Sequence, residues 1–224
     1  MKNWKLPAAV GLLGLGGSIF FAVNYPAVEG IGAKVRLPVF HGAMTWANLM
    51  VFAALIVYAI LFLVKKDEKY YRMGEGIRWT AIAMWFSGTV LGFLAAMNTW
   101  DFTGSKTPEI QLLMSDPRLI AQVCIALGGL VMIVLPLIVE KQRSMSIADI
   151  VFPTVLFVAL AWAMNAGKAL HPDSPVLNSD ELIIKLLFFC MVISDMVMAA
   201  GFAAAIASFR TKRLSEADAK SLLS

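Results

Sequence analysis

Apolar residues fall into six stretches that are separated by short polar segments. A helix needs about 20 mostly apolar residues to cross the hydrocarbon core of a membrane. Each of these stretches is close to that length or a little longer, so we predict an all-α integral membrane protein. It forms one six-helix bundle, a single domain over residues 1–224. The predicted helices are 7–23, 38–64, 79–98, 118–139, 148–167 and 183–209.

Composition and charge support this class and predict an orientation. The chain is 59% hydrophobic and 15% charged, whereas a soluble domain is typically about 25% charged. The net charge is +4, and in a membrane protein an excess of Lys and Arg records orientation rather than a nucleic-acid partner. If the N-terminus is inside, most basic residues fall on the inner side. Both termini are therefore predicted to be cytoplasmic. The six basic residues on the outer side are Lys34, Arg36, Lys106, Arg118, Lys168 and Lys185.

The chain has two histidines, and this topology brings both to the outer side. His41 opens the second predicted helix, and His171 follows the fifth. Imidazole is a common ligand of haem iron and of other metals. The pair therefore predicts one site that uses two imidazoles. The alternative is two separate histidines, each solvated at the membrane surface.

Aromatic and polar residues gather on the same side. Trp46 and Trp100 lie near the height of the histidines and can line a porphyrin, although tryptophan is also common at membrane interfaces. His41, Thr45 and Asn48 share one stripe of the second helix, and such a stripe faces the bundle interior or a cavity. Asp195 is the one acid deep inside a predicted span, near the height of Asn48. A hydrogen-bonded clamp with Asn48 and a quinone or proton site both remain open for it.

The order of these landmarks resembles that of the haem-handling cytochrome c assembly family (CcmC/CcsA type). The resemblance covers about Arg36 to Ile206. A basic residue precedes His-x-x-x-x-Trp, a Trp-Asp pair follows in an outer loop, Asp-x-Arg-Leu opens the fourth helix, and Asn-x-x-x-x-Leu-His closes the fifth. The matching residues are Arg36, His41 to Trp46, Trp100-Asp101, Asp116 to Leu119, and Asn165 to His171.

The resemblance implies a haem b at the outer face, with His41 and His171 as its axial ligands. It also implies that Trp100 and Asp101 cradle the porphyrin. Candidate binding residues are taken from these motifs and from positions at the same depth in the membrane as the histidines. They are His41, His171, Trp100, Asp101, Trp46, Asp116 and Arg118.

The chain departs from the family in the tryptophan-rich loop. It keeps one Trp-Asp pair and then inserts Phe102 to Ser115. Either Asp101 or Asp116 is the counterpart of the family's motif aspartate. A reduced loop affects the delivery of haem more than its retention, because two imidazoles alone can hold the group.

Three functions follow from these observations. The first is a haem-handling protein of cytochrome c maturation, which faces the periplasm from the cytoplasmic membrane of a bacterium and serves an apocytochrome. The second is a resident haem b subunit that works with other membrane subunits and passes electrons between quinol and an outer-face c-type cytochrome. The third is a non-catalytic packing subunit. No hydrolytic or transferase constellation is visible, so haem handling or electron transfer is favoured over a stand-alone enzyme.

Overall fold

The computed structural model describes residues 3–100, 107–166, 176 and 179–221, with the backbone alone for 212–221. This part of the chain contains helices and no strand, so the all-α prediction is confirmed. Six of the helices are long and apolar enough to cross a membrane, as expected of a multi-pass membrane protein. The helices are α1 (Lys5–Val23), α2 (Arg36–Lys65), α3 (Glu68–Thr99), α4 (Glu109–Leu113), α5 (Pro117–Val134), α6 (Gln142–Asn165) and α7 (Leu182–Ser221).

The helices α2 and α3 form a long antiparallel hairpin with a two-residue turn. Lys66 ends α2 in the left-handed conformation (φ 55°), and Asp67 caps α3 by accepting a hydrogen bond from the Lys69 backbone N–H at 3.0 Å. The structure starts α3 at Glu68, well before the predicted residue 79. The reason is physical: hydropathy detects only the part of a helix that lies in lipid, whereas a polar segment with a good N-cap continues the same helix into water.

The centre of the bundle is built from α2, α3 and α7. Helix α1 packs mainly on α7, while α6 packs on α2 and α5 packs on both α3 and α6. The buried side chains of α2, which include Ala43, Ala47, Phe52 and Leu55, face this centre. The ring of Phe52 meets the rings of Trp85 on α3 and Phe152 on α6, each with a centroid distance of 5.9 Å. These contacts fix the register of α3 and α6 against α2.

The closest packing in the bundle is between α1 and α7. A Cβ atom placed on Gly14 would lie 2.4 Å from the backbone nitrogen of Met198, which only glycine allows. Small residues permit this kind of approach between helices in lipid. Ser18 and Asp195 lie in the same interface and are fully buried, with the hydroxyl of Ser18 facing the Asp195 carboxylate.

A buried ion pair joins α3 to α6. Arg78 Nε lies 2.9 Å from Asp149 Oδ1, and the two side chains are 2% and 3% exposed. Removing one partner of a buried pair leaves an uncompensated charge, so this contact selects the pairing of α3 with α6. The sequence interpretation gave Asp195 as the one acid deep inside a span; the structure adds Asp149, which lies near the predicted edge of the fifth span.

The connection from α1 to α2 is tied to the start of α7. Tyr25 is fully buried, and its hydroxyl donates a hydrogen bond to the carbonyl of Ile184 at 3.2 Å. Arg36 at the start of α2 donates through Nε to the Tyr25 carbonyl at 3.0 Å. The segment 24–35 therefore forms a fixed cap over one end of the bundle.

Candidate functional site

The candidate site lies at the end of the bundle that carries the connections 24–35 and 100–116, which we call the His41 end. His41 occupies the second turn of α2 and is half-buried. Its main-chain carbonyl accepts a hydrogen bond from the Thr45 hydroxyl at 2.9 Å. The predicted stripe of His41, Thr45 and Asn48 does face inward, because all three side chains line one cavity.

Gly92 on α3 lets the imidazole of His41 lie against the helix backbone. A Cβ atom at this position would be 2.6 Å from Cε1 and 2.9 Å from Nε2 of His41. On the α5 side, His41 Nε2 lies 3.5 Å from the side-chain nitrogen of Gln122. The imidazole thus sits between α3 and α5, with its orientation set by Gly92 and Gln122.

A small cavity extends from His41 into the bundle between α2, α3 and α5. Trp85 closes one side of it, and the Trp85 indole N–H donates to the Gln122 carbonyl at 3.0 Å, which joins α3 to α5. Asn48 lies at the inner end and donates through Nδ2 to the Ala81 carbonyl at 3.0 Å. The lining residues are His41, Met44, Thr45, Asn48, Met84, Trp85, Gly88, Thr89 and Gln122.

The size of this cavity decides whether it can hold haem. Its free space has room for about one water molecule, whereas pockets for drug-sized ligands are about 300–1,000 Å³, and a haem is a wide rigid plate. A haem therefore does not fit inside the bundle below His41. Since Nδ1 of His41 is buried, a haem that uses this imidazole would have to bind through Nε2 and lie outside this cavity, at the His41 end.

Asp116 and Arg118 stand at the start of α5. The Asp116 side chain is 1% exposed and accepts a hydrogen bond from the Arg118 backbone N–H at 2.8 Å, as an N-cap does. The structure therefore gives Asp116 a role as the N-cap of α5, while its predicted part in binding stays a prediction. Arg118 precedes Gln122 by four residues, so both lie on one face of α5, with Arg118 nearer the His41 end.

The two tryptophans singled out in the sequence lie in different surroundings. Trp46 is 45% exposed and does not line the cavity that holds His41. Trp100 ends α3 and packs, partly buried, against Ala96, Leu113 and Leu119. The structure brings Trp100 to the His41 end and turns Trp46 to the outside of the bundle. The two remaining predictions, Asp101 and His171, lie outside the described residues.

One of the two alternatives left open for Asp195, a hydrogen-bonded clamp with Asn48, is wrong. Asn48 donates to Ala81 on α3, while Asp195 faces Ser18 on α1. Gln122 and Gly92, which contact the imidazole, were not singled out in the sequence. Gln122 carried a signal, because a polar side chain inside a span tends to face the bundle interior. Gly92 carried none, since its role depends on how α2 and α3 are aligned.

The described residues thus define a class: a six-span helical membrane protein with a small histidine-bearing cavity at one end. Comparison with known protein families and with curated proteins finds no match for this chain.

Proposed function

We propose that this chain is a membrane haem b-binding protein of the cytochrome c assembly type. In this proposal His41 and His171 are the axial ligands, and the protein presents haem at the His41 end for cytochrome c maturation. The observation that carries the proposal is the position of His41: a half-buried imidazole at the helical end, held in place by Gly92 and Gln122. Haem b, when bound, supplies a porphyrin iron with two axial positions for imidazole.

The register of α2 and α6 supports a pairing of the two histidines. Phe52 on α2 contacts Phe152 on α6. His41 lies 11 residues from Phe52, and Asn165 lies 13 residues from Phe152 in the antiparallel helix. At about 1.5 Å per residue, the end of α6 is therefore within about 3 Å of the height of His41. His171 follows Asn165 by six residues, a tether that spans at most about 20 Å.

The charge at the His41 end also suits haem. Haem carries two propionate carboxylates, and the guanidinium of arginine pairs well with carboxylates. Arg118 extends from the face of α5 that holds Gln122, one turn nearer the His41 end, and it is partly exposed. In our proposal Arg118 binds a propionate, and Trp100 lies beside the porphyrin.

Haem binding is tested with the purified full chain reconstituted with haem b. We expect a low-spin spectrum and one haem b per chain by pyridine haemochrome assay, and loss of the low-spin spectrum in both His41→Ala and His171→Ala. Asn98→Ala is the matched control, because Asn98 is exposed in the last turn of α3 and does not line the cavity. Added imidazole should restore the spectrum of His41→Gly. Unchanged spectra in both histidine variants would refute the proposal.

A second function, a resident haem b subunit of a quinol and cytochrome c redox complex, is favoured by one observation. The loop after α3 keeps a single Trp-Asp pair, which reduces the surface for handing haem to a partner. Deletion of the gene separates the two functions. Loss of all c-type cytochromes supports maturation, whereas loss of one respiratory activity with normal c-type cytochromes supports a resident subunit.

A further inference from the structure

The residues that line the cavity below His41 extend into the membrane-spanning part of the bundle. His41 and Asn48 both line it, and they are separated by seven residues of α2, which is about 10 Å along the helix axis. Its walls come from three packed helices, and it continues inward from the candidate haem ligand. Any group held at its inner end is therefore separate from a haem at the exposed side of His41.

The inner end of this cavity presents a buried hydrogen-bond acceptor that has no donor among the described residues. Asn48 is 1% exposed; its Nδ2 donates to Ala81, and its Oδ1 has no hydrogen-bond partner among the described residues. The hydroxyls of Thr45 and Thr89 donate to the carbonyls of His41 and Trp85, each at 2.9 Å. Their oxygens therefore also remain as acceptors. A buried acceptor without a donor is destabilising, so Oδ1 of Asn48 favours a bound donor.

The size of the cavity limits which hydrogen-bond donor can occupy it. The free space has room for about one water molecule. The ring of a quinol, which also carries donating hydroxyls, needs a pocket several times larger. A water molecule is small enough, and it needs two to four polar partners of the kind that Asn48, Thr45 and Thr89 provide.

We propose that the cavity between α2, α3 and α5 binds an ordered water molecule that donates a hydrogen bond to Oδ1 of Asn48. The site lies in the membrane-spanning part of the bundle and does not depend on haem. The water supplies the missing donor for Asn48 Oδ1. The neighbouring apolar side chains of Met44 and Met84 line the same space, so these two methionines border the water.

Radiolytic hydroxyl-radical labelling of the full chain in nanodiscs tests this site. Radicals form from water at the moment of irradiation, and the methionine sulfur atom nearest to a bound water is oxidised first. Met44 and Met84 are each 5% exposed, while Met198 (5%) and Met132 (4%) are matched controls that do not line the cavity. We expect Met44 and Met84 to be labelled severalfold faster than both controls.

The variant Asn48→Leu removes the acceptor while keeping a similar volume. In a folded Asn48→Leu chain, labelling of Met44 and Met84 should fall to the rate of Met132 and Met198, and the two control rates should not change. If this variant does not fold, the comparison of the four methionine labelling rates in the wild type is the test of the proposal. Equal labelling of all four methionines in the wild type overturns the proposal, as does undiminished labelling of Met44 and Met84 in folded Asn48→Leu.

Discussion

The orientation of the His41 imidazole depends on Gly92, a residue that has no side chain. Because Gly92 lacks a Cβ, the ring occupies space that alanine would fill, with 2.6 Å between the added atom and Cε1. Gln122 then limits the ring from the side of α5. Placing a histidine in this way uses close packing, and it ties the position of the ring to the distance between α2 and α3.

Tyr25 gives a prediction about pH. Burial raises the pKa of Tyr25 to about 12 from an ordinary value of 10.0. Since the folded pKa is above the unfolded one, the stability that this phenol contributes is complete below pH 10 and is lost as the pH rises toward 12. We expect the melting temperature of the wild type to fall over this window for that reason. Differential scanning fluorimetry across pH 9–12 measures it.

Tyr25→Phe separates this effect from general alkaline unfolding. The variant loses the hydrogen bond to Ile184, which contributes about 0.5–1.5 kcal/mol, so it should melt lower than the wild type at neutral pH. The difference should shrink between pH 10 and 12. Tyr58→Phe is the control, because Tyr58 lies toward the opposite end of α2, where its ring meets that of Tyr70 at a centroid distance of 6.3 Å. A constant difference between wild type and Tyr25→Phe at every pH would contradict the prediction.

Among the helices, α1 depends most on close backbone contact. It packs chiefly on α7, and the exposed side chains on its other faces, such as Leu12, Leu13 and Phe20, suit contact with lipid. Lipid is as apolar as these side chains, so burial from water does not hold α1 in place; van der Waals packing does. The association of α1 with the bundle should therefore be sensitive to a single added methyl group.

Gly14→Ala and Gly16→Ala form a matched pair that tests this. A Cβ on Gly14 meets the backbone of Met198 at 2.4 Å, whereas a Cβ on Gly16 meets nothing within 4 Å. Overpacking at a tight contact costs about 1–3 kcal/mol, so Gly14→Ala should unfold at a lower SDS fraction than the wild type. Gly16→Ala should be neutral or slightly more stable, because alanine favours a helix by up to about 1 kcal/mol. Equal midpoints for the two variants would argue against close packing of α1.

Considered as a whole, the molecule has two chemically different ends. The His41 end holds the half-buried histidine, the cap formed by Tyr25 and Arg36, and the N-cap of α5. The opposite end holds the turn at Lys66 and Asp67, and Arg210 pairs there with Glu75 and lies over the ring of Trp79. The excess of basic residues at this opposite end predicts that it faces the cytoplasm.

Cysteine labelling measures that orientation. In a background with Cys124→Ala and Cys190→Ala, a cysteine is placed at Glu29 in the 24–35 connection or at Glu140 in the connection between α5 and α6. Both positions are exposed. A membrane-impermeant maleimide should label Glu29→Cys in intact cells and Glu140→Cys only after the membrane is opened. The reverse pattern would put the His41 end in the cytoplasm and exclude a periplasmic haem site.

The sequence was enough to predict the six spans and the inward stripe of α2, because both depend on the order of apolar and polar residues within one helix. It was not enough to predict the partners of His41 or Asp195. Those contacts depend on the rotation and register of one helix against another, which side chains such as Phe52 and Gly14 fix only in the assembled bundle. The extension of α3 to Glu68 was missed for a simpler reason, since hydropathy detects only the part of a helix that lies in the membrane.

The packing of α1 on α7 has a consequence for how the protein is made. These two helices are the first and last of the bundle, and 158 residues separate Val23 from Leu182. At about 5–20 residues per second, the ribosome needs roughly ten to thirty seconds to supply the partner of α1. During that interval the glycine face of α1 is open to other helices and to membrane proteases. The protection of α1 therefore depends on the synthesis of α7. A chain truncated before residue 182 should lack the main packing partner of α1.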